Sequence, residues 1–262
     1  MFLIKKKVKK PYRLGLALSG GGARGFAHVG ALRALEEYNL RPEIIAGVSA
    51  GSVVTALYAS GRTCDEILRL FHQAKFSDFA EIGIPRGGLF SLDRFKNFIE
   101  KSTGVARIED LKIPAVICAT DLDHGCRVAF DRGPLADCVT ASCSIPIVFK
   151  PVKIDGVSYV DGGVLNNLPA WAIRKQCQVL IGVNCSPIND GPIEHTLMEV
   201  AQRSYSLLAK SNAYQDLATC DIAVDVKEIA DYKVFNLKET EKVYRSGYEA
   251  TLAAMRARNL ID

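Results

Sequence analysis

Gly47-Val48-Ser49-Ala50-Gly51 is the stretch of this chain with the plainest chemical content. A serine bracketed by small residues stands after the apolar run 44–46 and before the helical pattern Val53-Val54-Thr55-Ala56-Leu57. That order fits a sharp strand-to-helix turn, which pushes the serine hydroxyl into the open. The following helix would aim the positive end of its dipole at that hydroxyl. Upstream, the apolar run 14–18 feeds Ser19-Gly20-Gly21-Gly22-Ala23-Arg24-Gly25. Consecutive glycines let bare backbone N–H groups converge on a negative charge. An anion cradle and an exposed hydroxyl, one strand–helix–strand step apart, are what acyl transfer through a serine requires.

The glycine loop also has the spacing Gly20-x-Gly22-x-x-Gly25, which matches the dinucleotide-binding fingerprint. That fingerprint needs an acid closing the second strand to hold a ribose. Here Glu43 precedes the strand, which ends instead in Gly47-Val48-Ser49. A nucleophile stands near the ribose position, so dinucleotide binding is set aside.

A serine nucleophile needs a base. The histidines are His28, His72, His124 and His195, and only His195 lies late enough to serve as a triad histidine. Nothing in the turn Gly191-Pro192-Ile193-Glu194-His195-Thr196 suggests that it is held rigidly, and His28 reads as a residue that caps or packs the first helix. Asp161 is the better candidate. Val157-Ser158-Tyr159-Val160 reads as a short strand ending at Asp161-Gly162-Gly163, whose glycines leave the carboxylate unobstructed. Taken alone, an Asp-Gly pair is a turn signal. Asp121-x-Asp123-x-Gly125 resembles the start of a calcium loop, but Arg132 occupies the twelfth position, where a bidentate glutamate is needed. That segment reads as a turn, and no metal or organic cofactor is expected.

The elements that must position these residues come from apolar runs over 14–18, 44–46, 115–119, 158–160, 179–183 and 222–226. Helical patterns lie between most of them, which predicts a mostly parallel sheet covered on both faces. Residues 14–262 read as one domain, preceded by a basic arm over 1–13 that carries Lys5, Lys6, Lys7, Lys9, Lys10 and Arg13. The arm is expected to be solvated, with weak peripheral contact to an anionic membrane as the sharper alternative. The segment 63–104 carries amphipathic helical patterns around Ile84-Pro85-Arg86-Gly87-Gly88. It is placed to cap the site, or consists of ordinary packing helices. Tyr205, Leu207, Leu208 and Tyr214 read as one apolar helix face, for the core or a subunit contact, and 237–257 reads as a closing helix.

A net charge of +4 is too mild to argue for nucleic acid, and no basic stripe is interleaved with aromatics. Met1-Phe2-Leu3-Ile4 is too short for a signal sequence, and no run approaches the roughly 18 apolar residues that span a bilayer. The eight cysteines lack zinc-ligand spacing and sit mostly in apolar contexts, as Cys118 and Cys185 do. They read as buried thiols in a reducing, cytoplasmic setting. Oligomeric state is left open.

Taken together and in order, Gly20-Gly21-Gly22-Ala23-Arg24-Gly25, Gly47-Val48-Ser49-Ala50-Gly51 and Asp161-Gly162-Gly163 resemble the patatin-like phospholipases, the bacterial branch in particular. Supporting matches are Ala27-His28-Val29-Gly30, Ala119-Thr120-Asp121-Leu122, and Ala141-Ser142-Cys143-Ser144-Ile145-Pro146 leading to Phe149-Lys150-Pro151-Val152. The resemblance runs over 14–183, and no recognised motif lies beyond 187. It implies a three-layer α/β/α fold and a Ser–Asp dyad instead of a triad. Ser49 would be the nucleophile and Asp161 the base that takes its proton directly. The N–H groups of Gly20, Gly21 and Gly22 would form the oxyanion hole, with Arg24 fixing the loop. A carboxylate is a weak base at neutral pH unless burial raises its pKa. The implied substrates are lipid acyl esters, phospholipids or lysophospholipids. Two alternatives stand beside hydrolysis: acyl transfer to an acceptor other than water through the same acyl-enzyme, and a lipid-binding protein without turnover.

Overall fold

Successive residues of a strand point to opposite faces of its sheet, and the short apolar runs of this chain are buried on both. Leu16, Leu18 and Ile45 enter one hydrophobic core, while Ala17, Ala46 and Val48 enter another on the opposite face. A computed structural model of the chain describes residues 10–72, 81–82, 90–188, 191–192, 196–232 and 239–261.

The chain opens with β1 (Tyr12–Leu18), a 3-10 turn (Gly22–Gly25), α1 (Phe26–Glu37), β2 (Ile44–Val48), α2 (Ala50–Ala59) and α3 (Cys64–His72). A small pair follows, β3 (Glu81–Ile82) and β4 (Phe90–Ser91), then α4 (Asp93–Thr103), β5 (Ala115–Asp121), β6 (Cys126–Phe130) and α5 (Leu135–Ser142). The remainder comprises β7 (Val152–Ile154), β8 (Val157–Asp161), α6 (Ala170–Ile173), β9 (Cys177–Asn184), α7 (Leu197–Leu217), β10 (Ile222–Asp225) and α8 (Thr240–Arg256).

Strands β10, β9, β1, β2 and β5 are parallel neighbours in that order. Strands β6 and β8 both pair antiparallel with β5, and β7 continues antiparallel from β8. The fold is therefore α/β with a mostly parallel central sheet. All six expected strands are present. β3, β4, β6 and β7 were not expected: β3 and β4 are two residues each, β7 is three residues split by a lysine, and β6 is exposed or half-buried with only Val128-Ala129-Phe130 apolar after Arg127.

One detail of register decides where the chemistry sits. β2 pairs with β5 through Val48↔Cys118, and β8 takes over from the next residue, through Ala119↔Asp161. β6 runs alongside both stretches of β5, from Ile117↔Phe130 to Asp121↔Cys126, and so occupies the other edge. β2 and β8 thus share one edge of β5 and meet with their C-terminal ends facing. The residue after β2 is Ser49, and the last residue of β8 is Asp161.

Helix α2 is buried from Gly51 to Ala59. Burial of a leucine such as Leu57 contributes roughly 1.5–3 kcal/mol. Helices α3 and α4, within the segment 63–104, pack Ile67, Phe95 and Ile99 into that same core. Residues 84–88 lie outside the described residues. The boundary of the basic arm shifts: Tyr12 pairs with Cys177 in β1, and Arg13 donates to Glu43 from its backbone N–H and, at 2.7 Å, from Nε. The apolar face expected on α7 is not one face. Leu207 and Leu208 are 50% and 56% exposed, Tyr214 donates to Asp225 at 2.9 Å, and Tyr205 points elsewhere. At 100° per residue Leu207 and Tyr214 share one side of the helix, Tyr205 lies opposite and Leu208 between them.

Candidate active site

Ser49 stands at the junction of β2 and α2 with φ 50° and ψ −123°, left-handed backbone that a residue bearing a Cβ avoids. Such a conformation costs about 1–3 kcal/mol and persists only where its surroundings impose it. Here they do. A Cβ at Gly47 would stand 2.5 Å from the Gly51 carbonyl carbon and the Thr55 hydroxyl, and one at Gly51 would meet the Ser19 carbonyl at 2.6 Å. The turn therefore closes only on glycines. The Ser49 N–H donates to Ser142 Oγ at 2.8 Å, and Ser142 Oγ donates in turn to the Cys118 carbonyl at 2.6 Å. This buried serine at the end of α5 ties the elbow to β5. The same helix end holds the partner strand, because the Ser144 carbonyl accepts from the Asp161 N–H at 2.9 Å. Both residues sit in the run 141–146, which the sequence reading noted without a role.

Asp161 is fully buried. Its Oδ1 accepts the Gly163 N–H at 2.8 Å, and Oδ2 has no hydrogen-bond partner among the described residues. Ser49 and Tyr205 face the carboxylate. Burial pushes the Asp161 pKa up to about 6, and the hydrogen-bonding influence of Ser49, the Gly163 N–H and Tyr205 pulls against it. The cause is desolvation, which disfavours the charged form and makes the carboxylate a better base than one in water.

The glycine loop lies over the elbow, where a Cβ at Gly20 would stand 3.1 Å from the Ser49 Cβ. Its three expected donors differ. Gly20 donates its N–H to the Asn167 carbonyl at 3.1 Å, so as placed it is not offered to an oxyanion. The N–H groups of Gly21 and Gly22 meet no acceptor among the described residues. The Ser19 hydroxyl accepts the Cys185 N–H at 2.9 Å, which ties the loop to the end of β9. Arg24 clamps the loop from the other side, donating to the carbonyls of Tyr232 at 2.7 Å, Pro187 at 2.5 Å and Ala230 at 2.9 Å. Asn167 is a hub that the sequence reading did not find. Beyond its bond to Gly20, its side chain donates to Ser186 at 3.0 Å and its N–H is accepted by Asn212 of α7 at 2.7 Å. The available signal was a pair of asparagines, both buried here, placed just after the Asp-Gly-Gly turn.

The remaining candidates lie apart from this arrangement or do other work. His28 is buried within α1 under the glycine loop, with Nε2 2.7 Å from the Ser19 carbonyl and 3.1 Å from Cys185 Sγ. Burial lowers its pKa to about 4, so at neutral pH it is uncharged, and its Nε2–H is directed at the carbonyl. His124 is exposed and bonds Asp121 at 2.8 Å, while Asp123 accepts the Ser158 N–H at 2.8 Å. These carboxylates are engaged in holding their turn. The backbone of His72 ends α3, and His195 lies outside the described residues.

A family model described as patatin-like phospholipase matches residues 16–173, from β1 through α6. An uncharacterized NTE family protein of Mycobacterium tuberculosis is 38% identical over 184 residues, covering 69% of this chain and 51% of that protein. The uncharacterized protein YqhO of Bacillus subtilis is 32% identical over 203 residues, covering 64% of this chain and 70% of its own. Neuropathy target esterase sws of Drosophila melanogaster is 33% identical over 165 residues, which is 60% of this chain and 12% of that protein. The chain thus spans about half the length of the mycobacterial relative and a small part of the insect one. In fold, it is similar to the crystal structure of VipD from Legionella pneumophila, with a TM-score of 0.53 over 94% of this chain and 67% of that one at 14% identity. The matched span takes in the glycine loop, the Ser49 elbow and Asp161, and it covers more than half of the sequence: the chain belongs to the patatin-like phospholipase family.

Proposed function

We propose that the chain is a serine acyl hydrolase that cleaves carboxylic esters of lipids, phospholipids or lysophospholipids, through Ser49 and Asp161. The observation that carries this reading is the meeting of a strained Ser49 with a buried carboxylate whose Oδ2 has no partner among the described residues, beside two glycine N–H groups that meet no acceptor among them. Ser49 Oγ attacks the ester carbonyl carbon while its proton passes to Asp161 Oδ2. The carbonyl electron pair moves onto oxygen, where the N–H groups of Gly21 and Gly22 hold the charge. Each such donor is worth about 100- to 1000-fold in rate. The intermediate collapses with loss of the alcohol, which takes the proton from Asp161, and leaves an acyl-serine. Water then attacks with Asp161 again as base, and the released acid restores Ser49. With a pKa of about 6, Asp161 is about nine-tenths ionised at pH 7. It is ready to accept a proton, yet a stronger base than an ordinary carboxylate.

The setting in this reading is the cytoplasm, supported by eight cysteines that are all unpaired. Among the described residues no helix is long and apolar enough to cross a membrane. The test is intact-protein mass after exposure to a fluorophosphonate, with Ser49→Ala as control. One stoichiometric adduct, absent in the variant, is expected. Lipid esters assayed with and without an alcohol acceptor then separate hydrolysis from transfer. Folded protein that takes no adduct would overturn the reading.

A further inference from the structure

We infer that Tyr205, carried by α7 beyond the family-matched span, is a positioning residue for Asp161, and that position 163 is glycine to admit the tyrosine hydroxyl. The inference rests on the reading of Asp161 as the general base.

The geometry begins with α7, whose Tyr205 and Asn212 lie two turns apart on one face. Asn212 Nδ2 donates to the Gly163 carbonyl at 3.1 Å, and its Oδ1 accepts the Asn167 N–H at 2.7 Å. The helix thus grips the turn that follows Asp161. One level along, the Tyr205 hydroxyl lies over the Cα of Gly163, so that a Cβ there would collide with it. That same Cβ position is 2.9 Å from Asn167 Oδ1 and 3.2 Å from Asp161 Oδ1, so hydroxyl, amide oxygen and carboxylate surround one point. Gly163 is not at positive φ, so its backbone would accept any residue. Space, not conformation, is the reason for glycine at this position.

A phenol directed at a carboxylate favours the ionised form, and Tyr205 opposes the rise that burial imposes on Asp161. Ser49 faces the carboxylate from the elbow, the Gly163 N–H from its own turn, and Cys143 from the end of α5. Cys143 and Tyr205 are the titratable groups among these, and burial together with the Asp161 charge keeps both protonated. The acid limb of Ser49 reactivity therefore belongs to Asp161. An otherwise structural tyrosine would have no reason to move it.

The experiment follows the rate of Ser49 modification by a fluorophosphonate from pH 4.5 to 9 in the full chain, Tyr205→Phe, Gly163→Ala and the double variant. Thermal melts confirm that each is folded. The unaltered chain is expected to show an acid limb centred near pH 6. Loss of the phenol that faces the charged carboxylate moves that limb upward by about one pH unit in Tyr205→Phe. Modification at pH 6 then falls about five-fold, and the deficit shrinks as pH rises. Gly163→Ala displaces the hydroxyl and shifts the limb the same way. The double variant shifts the limb no further than Tyr205→Phe, because the hydroxyl that the methyl would displace is gone, and the contact of that methyl with Asn167 Oδ1 is common to Gly163→Ala and the double variant and is read in the melts. An unmoved limb in Tyr205→Phe, or a loss equal at every pH, overturns the inference while the hydrolase reading stands. An unaltered chain that is never labelled overturns both.

Discussion

Asp161→Asn should abolish turnover and yet make the protein more stable at neutral pH. The Asp161 side chain is fully buried, and burial lifts its pKa from the ordinary 3.8 to about 6. Between those values the folded protein binds a proton that the unfolded chain does not, so the contribution of this group to stability falls as pH rises through that window. Above about pH 6 the loss is complete. The gap between 3.8 and about 6, at about 1.4 kcal/mol per pH unit, amounts to about 3 kcal/mol. Asparagine carries no charge to desolvate. Its Oδ1 can keep the Gly163 N–H, bonded at 2.8 Å in the native chain, and its amide fills the place of Oδ2, which has no partner among the described residues. Urea unfolding of both proteins at steps from pH 4 to 8 isolates the group, because every other titration cancels in the difference. The variant should gain roughly 3 kcal/mol near pH 7, and the gain should vanish near pH 4. A variant less stable at pH 7, or a difference that does not change with pH, would show that Asp161 is not held charged in a desolvated site.

Two further substitutions probe the frame around the proposed dyad. Ser142→Ala strips the acceptor from the Ser49 N–H and the donor from the Cys118 carbonyl, both in the interior. It should cost about 2–4 kcal/mol in urea unfolding and lower kcat more than KM; loss of neither would mean that the elbow stands without it. Arg24→Lys replaces a fork that reaches three carbonyls with a single ammonium. Hydrogen exchange should quicken at Gly21–Arg24 and at 230–232, with about a ten-fold slower acylation of Ser49; exchange unchanged at both would refute the clamp.

Much of the site was legible because its parts are local. The Ser49 elbow needs its glycines within two residues on either side, the anion loop is a run of consecutive glycines, and Asp161 closes a strand just before two more. Chemistry confined to a few neighbouring residues leaves a mark in the sequence. The parallel strands were legible for a related reason: buried on both faces, they must be apolar throughout. What brings Ser49 to Asp161 left no such mark. Two strands far apart in sequence meet end to end on one edge of β5, a matter of hydrogen-bond register that no composition encodes. The same holds for the Gly20 N–H engaged by Asn167, the Ser142 link beneath the elbow and the Tyr205 hydroxyl over Gly163. Each is a single polar contact between distant segments, specified by how the layers pack. The residue types that can perform the chemistry were set by the sequence alone, whereas their distances, their burial and the basicity of Asp161 arose only when the interior closed around them and excluded water.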